Sequence, residues 1–560
     1  MKWIALFCSL ILAFSHVRIA TAHVGSSGVI VQKQAGKYQL LISVKPPDVV
    51  PGTAVVTVFV EQGNVTSIGA RPVYFQSGDK GAPTHDVLTH VEANRYVGDL
   101  WLMDSGSSSI ELSIDGPDGK QQVIVPVVAV ATALRDMPAG TGWALAAMGL
   151  LLVVMLITII GASNADGIVA PNQSGPKTLG RQRLIGMGIG LVVVSLILVG
   201  WRSWWTSTAE DYRNVQLYRP TRTQATVRVA NAQRQLTLQF DTTGFGNNRR
   251  IRRLFSFMLP DHGKLMHSFL VRMPGLDAFA HLHPNRRDTL QYEAALPSTL
   301  PGGKYLLYSD VVYRSGFAET LTDTIEVPFL KISPEAAANA KPSDPDDSWA
   351  VTEPMGVKAN AVNSLHLDNN MVVCGKPGAS TKLEDGSNMI WMDKPGESTP
   401  GAALESGKLY TLKFAVADSQ GKAVSLEPYL GMGGHAVILR SDGTVYIHLH
   451  PVGTYSMAAE ESLVGRIADT TRAFTYPDAV RFRDSIDTYV ANLKTLPEAE
   501  KNKILANTMG DMAHAMKTNN MVEFPYAFPR AGHYRIWVQV KRNGRVLTGI
   551  FDTQVNDPLF

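Results

Sequence analysis

Hydrophobic positions along the chain fall into three patterns. From His23 to about Val130, short β-rich stretches such as YQLLISVKPP and TAVVTVFVEQGN alternate with turn residues, and no long amphipathic helix interrupts them. Strands at this spacing predict a small antiparallel sandwich. Two continuous apolar runs follow, at 142–161 and 184–201, both uncharged and each long enough at about 18–20 residues to cross a bilayer. Alternation then resumes in two sets, from Gln224 to Phe329 and from about Lys408 to the C-terminus. The sets repeat each other: LTLQFDTTG corresponds to YTLKFAVAD, and LPGGKYLLYSDVVYRSG corresponds to FPRAGHYRIWVQVKRNG.

The repeat is sharpest at two histidine hairpins, LMHSFLVRMPGLDAFAHLHP and GGHAVILRSDGTVYIHLHP. In the second, Asp442-Gly443 predicts a two-residue type I′ turn. Ser441 then faces Thr444, His435 faces His450, and His448 shares their face with Val437, Leu439 and Tyr446. In the first, a five-residue loop from Met273 to Asp277 places Arg272 opposite Ala278 and His267 opposite His283. His281 joins them over Phe269, Val271 and Phe279. The loops differ in length, but each hairpin delivers a three-histidine cluster.

Two readings of the clusters compete. As parts of a duplicated strand, the imidazoles would be core or edge residues bonded to backbone carbonyls. As ligands, neutral imidazoles suit a borderline transition metal, copper or zinc, with each ring's second nitrogen held by an acceptor. The site of His435, His448 and His450 is expected to be the better of two, since its shorter turn fixes the register more tightly.

The remaining features set compartment and boundaries. Residues 1–22 read as a secretory signal, with Lys2, an apolar core and small residues at Ala20 and Ala22, so that cleavage leaves His23 first. Lys177, Arg181 and Arg183 in the loop at 162–183 favour the cytoplasm, and Trp143, Trp201, Trp204 and Trp205 suit the opposite interface. The expected organisation is a sandwich at 23–132, spans at 142–161 and 184–201, a second sandwich at 206–332, a linker with lead-in strands at 333–407, and a third sandwich at 408–560. That last sandwich carries an insertion at 452–521. Within the insertion, Pro497 and Glu498 predict a helix running towards Met516. Its Met509, Met512 and Met516 would pack or, with His514, supply a further ligand, and the whole insertion is placed to fold over the His435 cluster. Net charge is only +3, which gives no reason to expect nucleic acid. Of two cysteines, Cys8 lies in the signal, so Cys374 has no intrachain disulfide partner.

The HLHP hairpins followed by PGGKYLLYSDV or AGHYRIWVQV resemble the YtkA-like (FixH/YtkA-type) domains of exported bacterial proteins, over roughly 224–330 and, interrupted, 408–556. That resemblance implies a mainly β chain of three immunoglobulin-like sandwiches with two transmembrane helices and a partly helical insertion. It also implies copper or other metal at His267, His281 and His283, and at His435, His448 and His450. The N-terminal stretch AHVGSSGVIV is more loosely similar to CopC-type sandwiches, which implies chelation by His23 with His85 or His90. His85-Asp86 reverses the Asp-x-His pair of that type.

The expectation is a membrane-anchored extracytoplasmic protein handling copper, as chaperone or in resistance. It would sit in a bacterial inner membrane, with a copper donor or acceptor protein as partner. The alternative is a structural or interaction module without metal. An enzyme stands third, because no Ser-His-Asp signature, phosphate loop or CxxC is present and the candidate bases Glu427 and Glu460 are unplaced. All three sandwiches should face the same, non-cytoplasmic side. A reporter fused after Trp205 tests this: activity of an export-dependent reporter is expected, and activity of a cytoplasm-dependent one would refute it.

Overall fold

The computed structural model describes residues 23–24, 28–135, 137–166, 172, 178–230, 233–242, 255–330, 344–356, 377–393, 403–469, 474–507 and 520–558. The expected signal, Cys374, His514 and the three methionines near it lie outside them. The chain is mainly β, with three immunoglobulin-like sandwiches and two long apolar helices. It divides into two units: the sandwiches form one, and the described residues of 130–219 form the other.

The helical unit is a hairpin of Ala139–Asp166 and Leu179–Asp211, the latter continuing as a π turn, Tyr212–Gln216. Both helices are long and apolar enough to cross a membrane. They exceed the predicted 142–161 and 184–201 at both ends, because polar flanking residues extend the helices beyond their apolar cores. Small residues let the two backbones approach, the usual basis of packing where lipid offers no hydrophobic contrast. A side chain at Gly186 or Gly190 would meet Asn164 or Ile160, and one at Gly161 would collide with Met187. Leu150, Leu151, Leu196 and Val199 point outward.

In the other unit, the N-terminal sandwich packs a five-stranded sheet on a four-stranded one around Tyr38, Ile42, Val56, Ile110, Leu112 and Val125. The second sandwich begins at strand Arg222–Ala230 rather than at 206, since the preceding helix runs on into that stretch. Part of the expected linker belongs to it as well. Strand Ser348–Val351 pairs with Ala278–Leu282 at the edge of the six-stranded sheet. Further along, strands Pro377–Lys382 and Asn388–Met392 build one sheet of the third sandwich.

Both hairpins have the expected register. Phe269 pairs with His281 and Val271 with Phe279, while Val437 pairs with His448 and Leu439 with Tyr446. The first loop is the five-residue one, closed by Leu276 N–H donating to Arg272 O (2.9 Å). The second is not a type I′ turn. Gly443 has φ 75° but Asp442 is absent from the positive-φ residues, so one of the two left-handed positions that the turn needs is missing. Instead Gly443 N–H donates to Arg440 O (2.8 Å), and Asp442 accepts from Thr444 N (3.0 Å) and Oγ1 (2.7 Å). Strands Val445–Leu449 and His435–Arg440 thus end four residues apart. A four-residue loop preserves the pairing sum of a two-residue one, so the register is unaffected.

The apolar faces of the two hairpins lie against each other. Phe269, Val271 and Phe279 share one buried cluster with Val437, Leu439 and Tyr446. Phe279 stacks on Trp537 (centroids 5.0 Å) and Tyr308 on Tyr446 (4.1 Å). The insertion forms helices Met457–Ala468, Ala479–Thr495 and Glu498–Asn507. The last of these starts at Glu498, as Pro497 predicts. Tyr455 and Met457 enter the core of the N-terminal sandwich, and Lys33 Nζ donates to Tyr455 Oη (3.0 Å) and pairs with Glu460. Trp537 is fully buried between the two repeat sandwiches. Trp537→Ala should therefore lower stability by about 3–5 kcal/mol, read as a smaller midpoint in chemical denaturation of the detergent-solubilised chain.

Candidate metal centre

Among the described residues, seven buried histidines meet where the two hairpins face each other: His262, His267, His281, His283, His435, His448 and His450. The six predicted from the hairpins are all present, but they do not form two separate sites. His267 lies 5.5 Å from His448, and His281 lies 5.8 Å from His448 and 6.4 Å from His435, between ring centroids. Hairpin geometry put three imidazoles at one end of each apolar face, and stacking those faces brought the ends together.

The ligand atoms group differently from the hairpins. Those of His267, His281 and His283 all lie within 4.8 Å of one another, and so do those of His262, His435 and His450. His448 belongs to neither group. Its ring is 4.5 Å from His450 in one group and 5.5 Å from His267 in the other, so it stands between the two groups. His262 is a member that hairpin reasoning missed. It occupies a tight turn with φ 51°, followed by Gly263 at φ 78°, and Asp261 and Lys264 exchange both backbone hydrogen bonds across it (2.8 and 2.9 Å). The other sandwich repeats this turn at Leu430 (φ 52°) and Gly431 (φ 79°). The left-handed region disfavours any residue with a Cβ, and at the repeat position that residue is leucine. The available sequence signal was Asp-His-Gly shortly before His267.

Most rings are held by one nitrogen and leave the other for the centre. His267 Nε2–H donates to Asp261 O (3.1 Å), His281 Nδ1–H to Gln539 Oε1 (2.9 Å), His283 Nδ1–H to Asp347 Oδ1 (2.9 Å) and His450 Nδ1–H to Tyr455 O (2.9 Å). His448 Nδ1 is 3.4 Å from Asp310 Oδ2. On the inner side, His267 Nδ1 meets His281 Nε2 at 3.1 Å and His262 Nε2 meets His450 Nε2 at 3.3 Å. His283 Nε2, His448 Nε2 and both nitrogens of His435 are buried with no hydrogen-bond partner among the described residues.

Burial favours the neutral form of six of these rings. Desolvation, and then the neighbouring imidazoles, push His267, His281, His435 and His448 well below the ordinary histidine range, and desolvation brings His450 down to about 4. His262 is lowered for the same first reason, partly offset by Asp261. The surrounding carboxylates were not read from the sequence. Burial raises Asp310 to about 7 despite hydrogen bonds from Thr320 Oγ1 (2.6 Å) and Tyr446 Oη (3.0 Å). Asp344, Asp346 and Asp347 come from the stretch expected to be linker, and Lys264 pairs with Asp344 and with Asp346 (2.9 Å). Asp347 and Asp344 also form a metal-type group with His283. Asp347 already orients His283 through both its ring and its backbone N–H (2.8 Å).

The insertion covers this region. Its Leu493, Lys494, Glu498, Lys501 and Leu505 line a cavity of about 180 Å³ whose inner wall includes His262. Its carbonyl at Tyr455 anchors His450. Other candidates lie elsewhere. His85 faces Glu111 (3.2 Å) and His90 stacks on Tyr96 (4.8 Å), both in the N-terminal sandwich. The backbone of His23, by contrast, pairs with Val445 in the third. Glu427 accepts from Gly544 N–H (3.0 Å) and Glu460 pairs with Lys33, so neither serves the histidine cluster as a base.

Residues 397–480, which include the second hairpin, match a family model described as a domain of unknown function, DUF8832. No curated protein matches the chain. Among solved structures the chain is similar to an engineered protein at 17% identity, covering 17% of this chain and 20% of that one, with a TM-score of 0.14. It is also similar to a tetra-tandem repeat in the extending region of a large adhesion protein, at 8% identity over 93% of this chain and 75% of that one, TM-score 0.15. A third likeness is to the FN1–FN3 domains of chicken CNTN1, at 7% identity over 95% and 99%, TM-score 0.13. The chain thus spans a fifth of the length of the first of these structures.

Six histidines with lowered folded values bind fewer protons in the folded than in the unfolded chain, whose histidines titrate near 6.5. Stability should therefore fall as pH drops from about 6.5 towards 4, the value to which His450 is lowered. Asp310, raised to about 7, opposes this, but it is one group against six. Thermal melts of the metal-free protein should show a falling midpoint across that window. A flat profile there would show that the rings are solvated.

Proposed function

We propose that this is a membrane-anchored, extracytoplasmic metal-binding protein whose centre lies between its two repeat sandwiches. The observation that carries this reading is the orientation of the rings. Four imidazoles are anchored through their outer nitrogens on Asp261, Gln539, Asp347 and Tyr455, as metal-bound histidines are. A purely structural cluster would have reason to satisfy both nitrogens of each ring, yet His435 satisfies neither among the described residues.

Copper stands ahead of zinc. The donors among the described residues are imidazoles with no thiolate, and at equal geometry such a set favours copper in the divalent series. The basic loop and the tryptophans at the far ends of the apolar helices favour an inner bacterial membrane, with the sandwiches on the periplasmic or extracellular side. All seven rings are buried, which favours a resident ion over rapid hand-over. A copper donor or acceptor protein would exchange metal by way of the cavity at His262, opened by movement of the insertion.

The test is elemental analysis of the purified full chain in detergent after metal depletion and copper reloading. The parent should retain copper through gel filtration. His450→Ala should weaken binding at least tenfold, or about 1.4 kcal/mol, with circular dichroism unchanged. Failure of the parent to retain copper or zinc would leave the histidines as architecture, and the protein as an interaction module.

A further inference from the structure

We propose that the centre holds two copper ions side by side, one on His262, His435 and His450 and the other on His267, His281 and His283, with His448 reaching between them. This rests on the reading above that the cluster binds metal, and it adds how many ions bind and how they are related.

The number of donors is the first argument. An imidazole-bound copper ion takes at most about five donors, so seven in one connected cluster exceed one ion's needs. The second argument is their spacing. Two nitrogens on one ion at about 2.0–2.1 Å lie roughly 3.3 Å apart at a tetrahedral angle. The structure holds two nitrogen pairs at that separation, His267 Nδ1 with His281 Nε2 at 3.1 Å and His262 Nε2 with His450 Nε2 at 3.3 Å. One pair falls in each ligand group, and the groups share no residue.

The third argument is contiguity. The rings of His262 and His267, one from each group, are 6.1 Å apart, and His448 lies within 5.8 Å of His267, His281, His435 and His450. The buried Nε2 of His448 has no partner among the described residues. Asp261 ties the groups together: its carbonyl holds His267, while its carboxylate lies 3.6 Å from His262. Two cations in a buried site repel, and nearby anions must offset them. Asp261 and Asp310 lie beside the rings and Asp347 bonds His283, so carboxylates are at hand to offset the charge of two ions. The 180 Å³ cavity at His262 admits a ligand the size of hydroxide or azide and is too small for a large organic substrate.

The experiment titrates copper into the metal-free full chain and combines elemental analysis with paramagnetic resonance of the oxidised form. Expected are two retained copper ions per chain and a spin count far below the copper count, because neighbouring divalent ions couple. His281→Asn and His435→Asn should each retain one copper, with a spin count equal to it. If one variant fails to fold, the other alone decides. A plateau of one copper per parent chain with full spin intensity would overturn the pairing while leaving the metal-binding reading intact. Two coppers with a full, additive spin count would also overturn it. Retention of none would refute the metal-binding reading itself.

Discussion

The centre depends on one contact, the apolar face of one histidine hairpin laid against that of the other. Phe269, Val271 and Phe279 from one sandwich and Val437, Leu439 and Tyr446 from the other exclude water along this seam, and Trp537 and Tyr308 close it by stacking. Because both hairpins carry their histidines at the same end of that face, packing the seam delivers all six to one place. The apolar contact provides the stability, and the desolvated imidazoles beside it are a cost that bound metal would offset.

Anchoring across the seam is reciprocal. On the central strand of each sandwich, the residue paired with the hairpin's first histidine, Asp310 opposite His267 and Gln539 opposite His435, reaches over to the other sandwich. Gln539 Oε1 accepts a hydrogen bond from His281 Nδ1–H, and Asp310 faces His448. Each sandwich therefore orients a ring of its partner, and the group of His262, His435 and His450 draws on both sandwiches. The two copies differ here, amide in one and carboxylate in the other. They differ again at the left-handed turn, where His262 in one copy is Leu430 in the other. A duplicated fold has thus become an asymmetric centre.

The insertion shows a similar division of labour. Its first helix fastens to the N-terminal sandwich through Lys33, Tyr455 and Arg466, whose Nε–H donates to Phe75 O (2.9 Å). Its third places Lys501 against Asp346 (3.2 Å), beside the cavity. Access to the histidines is thereby linked to a sandwich that contributes none of the seven rings.

The sequence by itself determined the elements and their registers. Period-two alternation gave the sandwiches, uninterrupted apolar runs gave the long helices, and pairing arithmetic put His435 across from His450 even though the turn type was misjudged, since a four-residue loop conserves the same sum. These are local properties, set by side-chain alternation and loop length. Tertiary structure decided which faces meet. A single apolar strand face looks the same whether it packs on its own sandwich or on its repeat, so two expected sites became one. His262, Asp261, Asp310, Gln539 and the Asp344–Asp347 stretch were illegible for the same reason. Each reaches the centre from a turn, a neighbouring strand or a supposed linker whose position depends on long-range packing, and no periodicity in the chain records that.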